Sequence, residues 1–116
     1  MTFNMSDFDI IMQELIRFRD ERNWEQFHGS KDLALAISIE AAELNELFLW
    51  KNGVDAEQVN VERLKEELAD VFSFCFLLAN KHNLDVKEMV LDKIKKNAEK
   101  YPISKAKGSS KKYNDF

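Results

Sequence analysis

Apolar residues fall at three- and four-residue intervals in four separate blocks, the spacing of amphipathic helices. The first predicted helix runs from Asp7 to about Arg22. Ser6 is its cap, Asp9 follows three residues on, and Ile10, Leu15 and Phe18 supply its apolar positions. After the loop "NWEQFHGS", Ser30 is positioned to cap a second helix from Lys31 to about Lys51, which the pair Asn52–Gly53 would stop in a left-handed turn. "VDAEQVN" reads as a linker. Asn60 then caps a third helix, about Val61 to His82, and Asp85 caps a fourth, Val86 to about Lys100, ended by Pro102. The fold class expected is all-α, a four-helix bundle over residues 1–103. Residues 104–116 carry most of the segment "ISKAKGSSKKYNDF", basic and without periodicity, and are expected to be a mobile tail able to fold over a site.

Two blocks break the apolar pattern in the same way. At about 100° per residue, Leu33, Ile37, Leu44 and Leu47 share one arc of the second helix, and Glu40 falls inside it with Glu43 at its edge. On the third helix Leu64, Val71, Phe74 and Leu78 share an arc, with Glu67 inside and Asp70 at the edge. One ExxE pair alone is ordinarily solvated surface. Two such pairs on the apolar faces of neighbouring helices are harder to place, because like charges repel and a buried unpaired carboxylate is costly. Together they call for a cation, and an all-oxygen set suits Mg²⁺ or Mn²⁺ better than Zn²⁺. A di-iron bundle would need Glu-x-x-His on two helices. His82 has Ala79 at that spacing, so this option drops out.

Composition narrows the picture. At 116 residues the chain is one domain by length, and 45% hydrophobic residues with nine Phe can bury a core. Three Gly and one Pro argue against a turn-rich β fold. The segment Val71–Ala79, "VFSFCFLLA", is apolar nearly all round, which in so small a chain favours packing against a second copy. A net charge of −4 gives no footprint for a nucleic-acid polymer. No run approaches the length of a membrane span, and "MTFNMSDFDIIMQ" lacks a basic leader region. With Cys75 as the single cysteine, a cytoplasmic location is expected. Leu33, Leu44, Leu47, Phe48, Leu64, Leu68, Val71, Phe74 and Leu78 are assigned to the core.

The acid-bearing segments, "IEAAE" (Ile39–Glu43) and "ELAD" (Glu67–Asp70), resemble the Glu-Glu-x-x-Glu and Glu-x-x-Asp motifs of the MazG-like nucleotide pyrophosphohydrolases. The dCTP pyrophosphatase branch is more similar still, through "NWEQFH", "ELNELFLWK", "EELADV" and a terminal Lys93, Asn97, Lys100, Tyr101, Pro102. The likeness covers residues 7–103. Ile39 stands where many members carry the first Glu, which blurs the assignment of a catalytic base.

The resemblance implies a Mg²⁺-dependent enzyme, with Mn²⁺ as an alternative ion, that cleaves a nucleoside triphosphate between the α and β phosphates. A pyrimidine substrate, dCTP or a modified form, is implied, with nucleotide-pool house-cleaning as the role. Glu40, Glu43, Glu67 and Asp70 become the expected metal ligands, with Glu43 and Glu67 the catalytic carboxylates. Lys93, Asn97, Lys100 and Tyr101 become phosphate-binding residues, although a lysine-rich helix end also suits the helix dipole. Lys31 and Lys51 are weaker candidates. Trp24, Phe27, His28 and Trp50 become the base-binding group, with core packing the alternative for Phe27 and Trp50. Family members assemble as dimers or tetramers, so the aromatics and the acids of one pocket can come from different chains. The competing class is a non-catalytic helical oligomer that binds nucleotides or a protein partner.

Overall fold

The computed structural model describes residues 4–116 and, within them, contains helices and no strand. The elements are α1 (Asp7–Glu21), a 3₁₀ turn (Glu25–Phe27), α2 (Ser30–Glu46), α3 (Gly53–Ala56), α4 (Val61–Lys81), α5 (Val86–Lys100), α6 (Ile103–Ala106) and a last 3₁₀ turn (Tyr113–Asp115). The all-α class and its four long helices match the sequence expectation. The chain divides into two compact units, one ending at Leu84 and the other Asp85–Phe116. No helix among the described residues is long and apolar enough to cross a membrane.

Side-chain caps fix most helix starts. Ser6 Oγ accepts from the Asp9 N–H at 3.1 Å while Asp9 accepts from the Ser6 N–H at 3.3 Å, a complete capping box. Asn60 caps α4 through the Arg63 N–H at 3.1 Å, and Asp85 caps α5 through the Glu88 N–H at 2.9 Å. The ends of α1 and α4 share one device. Asn23 and Asn83 each adopt φ 54°, and the next residues, Trp24 and Leu84, donate back to Arg19 O at 3.0 Å and Ala79 O at 2.9 Å. This is a Schellman closure with asparagine in the left-handed position.

The second helix departs from expectation at both ends. Gly29, not Ser30, is its cap residue, and the Ser30 hydroxyl instead pairs with His82 Nε2 at 2.9 Å. The helix stops at Glu46 rather than Lys51, because 47–49 tighten into i→i−3 bonds and Trp50 takes φ 63°. The left-handed residue is therefore Trp50. Asn52, assigned to a helix stop, instead caps α3 inside the expected linker, accepting from the Asp55 N–H at 2.8 Å.

Within the first unit, α4 packs against both α2 and α1. The Ser30–His82 bond joins the start of α2 to the end of α4, so the two run antiparallel. Leu33, Leu47, Phe76, Leu77 and Ala79 form the buried core. Of the residues assigned to the core, Leu68 is exposed and Leu44, Phe48, Leu64, Val71, Phe74 and Leu78 are only half-buried. Phe76 is buried on a different side of α4 from that arc, because α1 covers it: the Phe8 and Phe76 rings lie 5.7 Å apart. Leu33→Ala is expected to cost about 2–5 kcal/mol of unfolding free energy, and Val54→Ala, at an exposed position, under about 1. Urea titration of the two variants checks the difference, and equal losses would contradict this packing.

Candidate functional site

Because α2 and α4 run antiparallel with their acid-bearing arcs facing, Glu40 meets Glu67 and Asp70. One carboxylate oxygen from each lies within 4.8 Å of the others. Glu40 and Glu67 are half-buried while Asp70 and Glu43 are exposed. Glu40 Oε2 and Glu67 Oε2 are shielded from solvent and have no hydrogen-bond partner. A shielded carboxylate oxygen with no donor is unfavourable.

Titration behaviour follows from this crowding. The Glu40 carboxyl is pushed up from 4.5 to about 7, first by burial, then by a shared hydrogen bond with Glu43, and then by the charges of Glu43, Asp70 and Glu67. Glu67 is also raised, by burial and then by the Glu43 and Asp70 charges. Glu43 thus acts on both glutamates and belongs to the group electrostatically, although it lies outside the converging trio. The donor set fits a divalent cation. It is all oxygen, it is negative, and two of its atoms lack partners that an ion between the helices would supply.

Beside the acids lies a cleft of about 350 Å³, walled by Leu15, Phe18 and Arg19 of α1, by Trp24 and His28, and by Asp70, Ser73, Phe74 and Leu77 of α4. The Schellman turn at Asn23 folds Trp24 back so that its ring meets Phe18 edge-on, with centroids 5.7 Å apart. Arg22 stacks on Phe18, its guanidinium carbon 3.7 Å from the ring centroid. Arg19 is held by Asp20 at 2.9 Å and Glu25 at 3.5 Å. The His28 ring stands edge-on to Phe74 with centroids 6.4 Å apart, and its Nδ1 is shielded without a partner. Burial, then the positive charge of Arg19, holds His28 below the usual imidazole range, so the ring is neutral at pH 7.

Asp70 belongs to both the acid trio and the cleft wall. Of the four aromatic candidates, Trp24 and His28 line the cleft, while Phe27 and Trp50 do not. Trp50 stands 94% exposed in a left-handed conformation that bulky side chains rarely take. Lys31 and Lys51 are exposed and outside the cleft. In the second unit, Lys93, Asn97 and Lys100 share an exposed face of α5, and half-buried Tyr101 ends that helix. The sequence reading missed Arg19 and Ser73 and treated Phe18 and Phe74 only as packing. Arg19 follows Leu15 by four residues, on the inward stripe of α1, where an arginine is out of pattern.

The profile of the MazG-like family matches residues 35–116, most of the chain and both acid motifs. The chain belongs to the MazG-like family. It is similar to dCTP pyrophosphatase 1 of Rattus norvegicus, 40% identical over 104 residues, and of Homo sapiens, 41% identical over 104 residues. Each match covers 85% of this chain but only 61% of the relative's length. A solved pyrophosphatase from Archaeoglobus fulgidus shares the fold with TM-score 0.80 and 32% identity, over 88% of this chain and 98% of that one.

The acid cluster of this MazG-like chain makes stability depend on pH when no metal is present. Folded Glu40 keeps its proton up to about pH 7, whereas the unfolded chain releases it near 4.5. Between those values the folded state binds more protons, so stability falls as pH rises through the window and levels off above it. Melting curves in chelator should show this decline, and Glu40→Gln should flatten it. An unchanged slope in the variant would contradict the placement of Glu40.

Proposed function

We propose that this chain is a divalent-metal-dependent nucleoside triphosphate pyrophosphohydrolase, converting a pyrimidine deoxynucleoside triphosphate, dCTP or a modified form, to the monophosphate and pyrophosphate. The observation that supports it best is Asp70, which joins a carboxylate cluster suited to Mg²⁺ or Mn²⁺ to an aromatic cleft suited to a base. The dCTP pyrophosphatase relatives point to the same chemistry.

Glu40, Glu67 and Asp70, with Glu43 beside them, would hold the metal. A divalent ion supplies charge neutralisation toward the phosphates and a more acidic water. Glu43 is exposed and electrostatically tied to Glu40 and Glu67, which suits it to accept a proton from the attacking water. Glu67 would serve as the second catalytic carboxylate by helping to hold that ion. Trp24 and Phe18 offer ring faces for stacking, and neutral His28 offers a hydrogen-bonding edge. Lys93, Asn97, Lys100 and Tyr101 would contact the triphosphate, where Lys donors neutralise charge without needing a metal. Cys75, a free thiol, suits a reducing compartment, and we place the protein in the cytoplasm.

We further propose that the working form is a homo-oligomer, a dimer or tetramer. Leu35 and Ile39 of α2, 55% and 50% exposed, and Phe72 of α4, 60% exposed, are apolar surface that a second copy would cover. Outward-facing Trp50 suits service in a neighbouring copy's cleft.

Purified protein with Mg²⁺ should release pyrophosphate from dCTP, and Glu67→Gln should lower that rate by at least about a hundredfold with the fold intact by circular dichroism. No pyrophosphate from any common NTP or dNTP would overturn the reading in favour of a non-catalytic binding oligomer. Light scattering should return a multiple of the 13.6 kDa chain mass, and Phe72→Glu should reduce it. A wild-type protein of single-chain mass would contradict the shared core.

A further inference from the structure

The C-terminal segment returns onto the end of α5. After α6, Gly108 takes φ 74°, and the Ser109 N–H donates to Ala106 O at 3.0 Å, so the chain reverses there. A side chain at Gly108 would meet nothing within 4 Å, so the glycine answers to backbone conformation rather than to space. The reversal leads to the 3₁₀ turn at Tyr113–Asp115. There the Tyr113 ring meets Tyr101 edge-on at 5.9 Å and 87°, and Phe116 meets Tyr101 at 5.9 Å and 90°. Lys100 Nζ lies 5.0 Å from the centroid of the Tyr113 ring. Two neighbouring residues at the end of α5 are thus held by side chains from the end of the chain.

We propose that Tyr113 is a positioning residue for triphosphate binding, acting through Lys100. The inference rests on the reading that Lys100 contacts the triphosphate. Lysine carries a point charge on a flexible four-carbon stem, and every rotamer that faces away from the ligand dilutes the bound one. A ring face within about 6 Å of the ammonium is an electrostatic well that restricts this freedom. It engages one side of the ammonium and leaves other N–H donors for phosphate oxygens. The tail therefore orders Lys100 at the end of α5 without itself touching substrate.

A double-mutant cycle tests this, reading the affinity of the full chain for α,β-imido-dCTP with Mg²⁺ by calorimetry. Lys100→Met should weaken binding about tenfold and Tyr113→Leu about three- to fivefold, with circular dichroism unchanged. Tyr113→Phe should restore near wild-type affinity, because the ring and not the hydroxyl acts. Tyr113→Leu in the Lys100→Met background should cost little more than Lys100→Met alone. Fully additive losses, or a Tyr113→Leu protein that binds like wild type beside a weakened Lys100→Met, would overturn the positioning role while leaving the phosphate reading standing. A Lys100→Met protein that binds like wild type would remove the phosphate reading, and the positioning role with it.

Discussion

Mutual repulsion among carboxylates on two antiparallel helices is the constraint around which the first unit is organised. Glu40, Glu67 and Asp70 aim one oxygen each into a single small volume, with Glu43 pressing on both glutamates. Two shielded oxygens have no donor within the protein. The apolar arcs of α2 and α4 draw the helices together, and that attraction brings the charges into proximity. An arrangement that destabilises itself in this way is of the kind a binding site retains for its ligand. Burial first, and then the neighbouring carboxylates, push the Glu40 carboxyl upward when no cation relieves them.

The cleft beside the acids depends on local chain geometry as much as on packing. Asn23 in the left-handed region turns the chain sharply enough to lay Trp24 on Phe18, and Arg19, tied to Asp20 and Glu25, steadies the turn that follows. His28 stays neutral because burial and Arg19 both oppose its protonation. Aromatic faces and a neutral hydrogen-bonding ring thus stand next to a carboxylate cluster, with Asp70 common to both. The acid trio and the aromatic cleft thus share one side chain on one helix.

Much of this was legible in the sequence where the physics is local. Ser6, Asn60 and Asp85 cap α1, α4 and α5 as their spacing predicts, because a capping bond needs only residues three apart. Helical periodicity put Glu40 and Glu67 inside their apolar arcs and Asp70 at the edge of one, and all three converge where the arcs face. The end of α2 was not legible. Its last turn tightens and Trp50 takes a left-handed conformation against its own preference. Arg19, Ser73 and Phe74 were missed as cleft residues because which face of α4 receives α1 is a question of packing. Phe27 and Trp50 share the aromatic character of Trp24 but stand away from this chain's cleft, because composition says nothing of direction.

The most direct measurement is anomalous diffraction from crystals soaked in Mn²⁺. An anomalous peak is expected between α2 and α4, about 2.0–2.3 Å from oxygens of Glu40, Glu67 and Asp70. Clear density for those three side chains with no peak among them, and their carboxylates turned to solvent, would contradict it.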